Sequence, residues 1–396
     1  MKKELVFILW FLTSIYTQAQ IKVLFDATKA ETANNADWII DADAFNLGYN
    51  PNPYIGGREA NPQRFPTPDQ STVTANTQED YWTGANSAWG IELVQYGYQV
   101  ETLPYDGAIT YGDAGNPQDL SYYDVFIVTE PNILFTADEK TAIMEFVANG
   151  GGLFMTSDHD RSDRNGDGVD SVDVWNDLMQ NNSVLGNPFG LLFDYENFST
   201  TTYSIANLPG NPVLHGYFGD VTALELHGGT SISLFPGDNT SVTGLIFKQG
   251  TNITLFAAAE YGNGRVVAIG DSSPADDGTG DTHDNLYNGW YDEGNGSHRK
   301  LMLNATLWLA QDPAYIDGFA NTNRIKLIVK DRYLQVKSPT ELSVAQISII
   351  NMQGQLLTTQ KYIPLGINVS FIPKGLYLVR IQLNNKAILI KKILLD

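Results

Sequence analysis

Residues 123–160 read YDVFIVTEPNILFTADEKTAIMEFVANGGGLFMTSDHD. The run Val125-Phe126-Ile127-Val128 is apolar at consecutive positions, the mark of a strand covered on both faces. A helix is predicted over 137–148, stopping at Asn149-Gly150-Gly151-Gly152, residues that favour the left-handed turn ending a helix. Residues 153–156 repeat the buried-strand pattern and run into Ser157-Asp158-His159-Asp160. Strand, helix and strand in that order form a parallel crossover unit, which predicts an α/β domain built on a doubly wound, mostly parallel sheet. Working outward, residues 21–25 form a strand stopped by Asp26, residues 100–103 a second, and 85–98 a helix. Residues 253–258 and 265–269 flank Tyr261-Gly262-Asn263-Gly264 as a hairpin, and 298–309 form an amphipathic helix. The proline-rich stretch 46–78 is long for a connection and is expected to shape a site.

The chain has 396 residues, of which 43% are hydrophobic and 17% charged, as expected of a globular protein. A formal charge of −21 makes binding led by phosphate neutralisation, and so a nucleic-acid partner, unlikely, and favours cations. The absence of cysteine excludes disulfides, thiolate metal sites and a cysteine nucleophile. Lys2 and Lys3 precede the apolar run 5–12 and then Thr17-Gln18-Ala19, so residues 1–19 are expected to be a cleaved signal peptide. The apolar run is too short for a spanning helix, and no transmembrane segment is expected in the mature form. Residues 324–396 carry 11 Lys and Arg against 3 Asp and Glu, whereas residues 20–323 carry 11 against 41, a net of −30. That asymmetry divides the chain into an α/β catalytic domain, 20–317, and a tail, 324–396. The tail alternates apolar and polar residues between turns such as Pro373-Lys374-Gly375, predicting a small antiparallel β-sandwich.

The strings Ile349-Ile350-Asn351-Met352-Gln353-Gly354-Gln355-Leu356, Ile372-Pro373-Lys374-Gly375-Leu376-Tyr377-Leu378-Val379-Arg380 and Lys391-Lys392-Ile393-Leu394-Leu395 resemble the C-terminal sorting domain of the Bacteroidota type IX secretion system. The final segment is shorter than usual. The resemblance implies a partner in the type IX secretion machinery, and a protein released or held at the outer-membrane cell surface with its tail removed. A carbohydrate-binding or structural β-module is the alternative. In the middle region, Tyr123-Asp124-Val125-Phe126-Ile127-Val128, Asn211-Pro212-Val213-Leu214-His215-Gly216 and Gly262-Asn263-Gly264-Arg265-Val266-Val267-Ala268-Ile269-Gly270-Asp271 resemble noncanonical secreted members of the class I glutamine amidotransferase-like superfamily, implying a flavodoxin-like sheet. The family's cysteine nucleophile has no counterpart here, so its activity does not carry over.

Ligands of an open α/β sheet bind outside the carboxyl ends of its strands. Those exits carry Asp26, Glu130, Ser157-Asp158-His159-Asp160 and Asp271-Ser272-Ser273, which are expected to form one acidic cleft. Adjacent carboxyl groups separate in proton affinity, so Asp158 or Glu130 paired with Asp26 or Asp271 can supply one acid and one base. His159 is a candidate base or metal ligand, His283 a possible addition to the site, and His215 and His227 are read as structural. The loop Asp163-Arg164-Asn165-Gly166-Asp167-Gly168-Val169-Asp170-Ser171-Val172-Asp173 matches a calcium loop in Asp163, Asn165, Asp167 and Ser171, with Asp173 as a late carboxylate. It departs at Val174, and the competing reading is an acidic turn capping a helix. Trp82 and Trp290 are the candidate sugar-stacking rings, against the alternative that they are core.

Together these features predict a secreted, calcium-binding hydrolase of an extracellular polysaccharide, a sulfated algal glycan among the candidates, working as a glycosidase by carboxylate acid/base chemistry. A phosphoesterase or nuclease with a catalytic divalent metal is the enzymatic alternative. A calcium-stabilised surface glycan-binding protein is the non-enzymatic one.

Overall fold

The computed structural model describes residues 20–34, 36–41, 70–78, 81–184, 186–280, 287–291, 294–311, 326–330, 332–337, 344–351, 355–363, 366–383 and 388–395. The expected signal peptide, most of the proline-rich stretch, His283 and the expected domain boundary at 317–324 lie outside them.

β1 (Lys22–Asp26), β2 (Gln99–Leu103), β3 (Val125–Thr129) and β4 (Gly152–Thr156) lie parallel in the order β2-β1-β3-β4. The strand Gly264–Ile269 continues this parallel set beside β4, and Thr254–Tyr261 then pairs with it antiparallel. Ile232–Leu234 and Leu191–Phe193 complete that edge, so the central sheet is mixed but mostly parallel where the strand exits matter.

Both faces of the sheet are covered, because consecutive interior positions of the central strands are apolar and point alternately to either side. Val23, Phe25, Ile127, Phe154 and Val267 pack on one side with α1 (Ser87–Tyr96) and α4 (His298–Leu309). Leu24, Phe126, Val128, Met155 and Val266 face the other side, with α2 (Ala137–Ala148) and α3 (Ser171–Gln180). The start of α2 is fixed locally: Thr136 and Glu139 form a reciprocal capping box. α1 ends at Gly97, whose φ of 112° only glycine adopts readily.

The C-terminal region forms two antiparallel sheets, one containing Lys326–Lys330, Tyr333–Lys337 and Ile367–Asn368, the other Leu356–Lys361, Val344–Asn351, Gly375–Leu383 and Ile388–Leu395. Leu334, Val336 and Ile367 from the first share a core with Ile347, Ile349, Val379 and Ile381 from the second. The two sheets therefore pack as the expected sandwich.

Candidate active site

Register places three strand exits side by side. Thr129 of β3 pairs with Thr156 of β4, which pairs with Ile269. Glu130, Asp158 and Asp271 thus leave neighbouring strands at one edge. Glu130 is buried with φ of 52°, a backbone conformation uncommon for a residue with a Cβ. It is held by what surrounds its carboxylate: Arg164 Nε at 2.6 Å, Ser162 Oγ at 2.7 Å and Ser272 Oγ at 2.9 Å.

Arg164 also reaches Asp158, with Nη2 3.0 Å from Oδ2. Ser162 Oγ lies 2.7 Å from both Glu130 Oε1 and Asp158 Oδ2. A hydroxyl has one proton, so it donates to one oxygen and accepts from the other, which must itself be protonated. The protonated partner is Asp158. Burial, then the charges of Glu130 and Asp271, push its carboxyl well above the usual carboxylate range. Burial also opposes ionisation of Glu130, but the charge and hydrogen bonds of Arg164 outweigh it and hold that group below its ordinary value.

Asp271 is pushed up to about 7 by burial, against hydrogen bonds from the amide and hydroxyl of Ser273 and the amide of His227. Asp158 and Asp271 open into one pocket of about 320 Å³, lined also by His159, Arg164, Ser199, His227, Gly228, Ser272 and Tyr287. His159 Nδ1 lies 2.7 Å from the Asp160 carbonyl oxygen, which can only accept, so neutral His159 has Nδ1 protonated and Nε2 as acceptor. The His227 and Tyr287 rings stack with centroids 5.2 Å apart and planes 14° from parallel. Gly228 takes φ of 76°, and a Cβ at Gly229 would stand 2.7 Å from the Asp271 Cβ. The backbone can pass this close to Asp271 only as glycine.

Several expected site residues stand elsewhere. Asp26 belongs to a separate buried pair with Glu31 at the exit of β1, and accepts the Thr28 amide. Glu130 is wholly enclosed and contributes no surface to the pocket. Trp82 and Trp290 are 2% and 1% exposed and pack in the core under α1 and α4, with Trp290 against Trp89. They offer no ring face to a sugar, because closing that layer requires their full volume. His227, read as structural, lines the pocket through a long antiparallel excursion that brings it back over Asp271. Arg164 sat inside the expected calcium loop; its one sequence signal was a cation among acids.

In that loop the Asp163 carboxylate accepts the amides of Gly166, Asp167 and Gly168 at 2.8, 3.1 and 2.8 Å, and Asn165 bonds Asp167. Asp163, Asn165 and Asp167 thus fit the first half of a calcium loop. Ser171 and Asp173 do not fit the second half. Ser171 is buried and its Oγ accepts the Asp158 amide at 2.8 Å, while Asp173 accepts the Tyr195 hydroxyl at 2.9 Å. Asp170, left out of the expected ligand set, caps α3 instead. Among the described residues, no three His, Asp or Glu side chains are grouped so as to hold a metal.

Residues 330–396 match the secretion system C-terminal sorting domain. The protein is a secreted or cell-surface-attached substrate of the type IX machinery. No helix of the described residues is long and apolar enough to cross a membrane. No curated protein matches the chain. Among solved structures, the N-terminal domain of mmIFT52 is 13% identical, with 60% of this chain and 96% of that one covered and a TM-score of 0.39. A cytoplasmic protein of Salmonella typhimurium is also 13% identical, covering 73% and 98% with a TM-score of 0.38. The GH42 β-galactosidase Gan42B is 14% identical, covering 76% of this chain and 32% of its own, with a TM-score of 0.29. The chain thus spans about a third of that enzyme's length. Likenesses of this size carry no argument about the pocket.

Proposed function

We propose that the region before the sorting tail is a hydrolase of an extracellular glycan, using Asp158 as general acid and Asp271 as base. One observation carries the reading: two carboxyl groups from adjacent strands, both raised by burial, open into one polar pocket. As acid, Asp158 would turn the proton it gives to Ser162 toward a leaving oxygen, while Asp271, raised to about 7, would take a proton from water. His159 Nε2 is a second acceptor in the same pocket. Glu130 and Arg164 act through Asp158 as positioning residues. The pocket is at the small end of ligand sites and suits a single ring more than a long segment.

The parallel order 2-1-3-4-5, counting Gly264–Ile269 as fifth, supports a flavodoxin-like assignment and is compatible with the amidotransferase-like resemblance. Division into a catalytic unit at 20–317 and a sorting unit at 324–396 is part of the proposal, as is calcium on Asp163, Asn165 and Asp167. The metal-dependent phosphoesterase reading is less favoured because the Arg164 guanidinium bridges Glu130 and Asp158, where a cation would sit between them.

Product release from a panel of glycans, with wild type and Asp158→Asn side by side, tests the proposal. Turnover lost in Asp158→Asn is the expected result. Saturable binding without turnover by the wild type would replace the hydrolase with a glycan-binding protein, and equal turnover by both chains would remove Asp158 from the chemistry.

A further inference from the structure

Resting on that reading of the pocket, we infer that the sugar it receives is uncharged: a ring without sulfate or carboxylate. Two independent features exclude an anion. The first is the local pairing of charge. Among the described residues, Arg164 is the one Lys or Arg lining the pocket, and its guanidinium is already engaged by Glu130 at 2.6 Å and Asp158 at 3.0 Å. An incoming sulfate would have to draw Arg164 from two buried carboxyl groups, leaving Glu130 as an uncompensated buried charge. Of the other lining groups, His227 has Nε2 3.7 Å from a Glu225 oxygen, which places a carboxylate beside that ring. His159 presents an acceptor in its neutral form, and Asp271 adds negative charge when ionised.

The second feature is the field of the region around the pocket. Residues 20–323 carry a net charge of −30. A polyanionic chain approaching that surface is repelled at low salt, whereas a neutral chain is indifferent to it. What the pocket does offer is matched to hydroxyl groups: the Ser199 and Ser272 hydroxyls, the His159 acceptor, the Asp158 acid and the stacked His227 and Tyr287 rings. The inference departs from the sulfated glycan that export and composition first suggested.

Calorimetric titration of the secreted chain tests this, with oligosaccharides of one backbone in three forms: unsubstituted, 6-O-sulfated, and oxidised to the 6-carboxylate. The unsubstituted form is expected to bind at least about 10-fold more tightly at low ionic strength, with the gap narrowing as salt is added. A second arm uses Ser199→Lys, at an exposed position on the pocket wall. Loss of the Ser199 hydroxyl weakens every form alike, so the new cation should shift the ratio of sulfated to unsubstituted affinity several-fold toward the sulfated form. Equal or tighter binding of either anionic form by wild type overturns the inference, as does failure of every unsubstituted backbone in the panel to bind. Binding without product release leaves the inference standing and sinks the hydrolase reading, so the two fail separately.

Discussion

Two buried carboxyl pairs sit at the same edge of one sheet and differ in everything that matters for chemistry. At the exit of β1, Asp26 and Glu31 are both at most 1% exposed, and the charge of Asp26 adds to burial in raising Glu31. Burial raises both, Asp26 to about 6. Two strands along, Glu130 and Asp158 are equally enclosed, but Arg164 and Ser162 lie between them and a pocket opens on Asp158. At β1 the charge of Lys29 opposes burial of Asp26 without overcoming it, because its ammonium is bound to Glu139 and not between the pair. A cation fixes which member ionises, and a pocket decides whether the other can reach a substrate.

The largest expected effect comes from removing the cation that separates the two cases. Arg164→Met should leave Glu130 as a buried charge with no bonded cation, at a cost of about 3–5 kcal/mol at neutral pH. Denaturant unfolding measures it, and a loss below about 1 kcal/mol would mean that the pair does not need Arg164. Next is the contrast in turnover. Asp158→Asn keeps the shape of an already protonated acid, so it should lower turnover about 100-fold with little change in melting temperature. Asp26→Asn should leave turnover within about two-fold, and activity lost there instead would move the chemistry to β1.

The pH dependence of stability is smaller and reaches beyond the two pairs, to Asp271 in the pocket and to buried Asp277, which accepts from the Ser87 hydroxyl and the Ala88 amide at the start of α1. Asp26, Asp271 and Asp277 are raised by burial to about 6, 7 and 6. Each binds protons more tightly folded than unfolded, so its contribution is fully present below the unfolded carboxylate value of about 4 and is lost as pH rises through the folded values. Melting temperature should therefore fall by several degrees between pH 5 and pH 8. Glu130 acts in the opposite sense: its lowered value gives stability above the unfolded range that disappears in stronger acid. A melting temperature that climbs from pH 5 to pH 8 contradicts the assignment. The smallest effect is calcium on the 163–173 loop. With two of its five expected ligands committed elsewhere, saturating calcium should add no more than about 1.5 kcal/mol, the value for a concentration near ten times Kd. Asp163→Ala should abolish the increment, and a chelator that changes nothing in wild type reduces the loop to an acidic turn.

What could be read along the chain was local. The buried runs of β3 and β4, the Thr136–Glu139 box and the glycine stops each depend on a few adjacent residues, and so did the strand-exit positions of Glu130, Asp158 and Asp271. The remainder of the site depends on residues far apart. His227 reaches Asp271 across 44 positions, and Ser171 bonds the Asp158 amide only because α3 begins beneath that strand exit. Trp82 and Trp290 look the same in sequence whether they fill a core or face a sugar; only the closing of α1 and α4 over them decides it. Asp26 misled for a related reason, since its strand is adjacent to β3 but its side chain turns to Glu31.

The two glycines beside Asp271 set a boundary on descent. At Gly228 a side chain would be strained by the backbone angle of 76°, and at Gly229 it would strike the Gly270 carbonyl oxygen at 2.6 Å. A replacement at Gly229 therefore meets backbone before it meets ligand, and one at Gly228 is strained by its own backbone and presses on the His159 ring at 3.3 Å. Lineages that retain this pocket have no inherited route to narrowing it from that wall, and new preferences must arise across the cavity, at positions such as Ser199 and Tyr287.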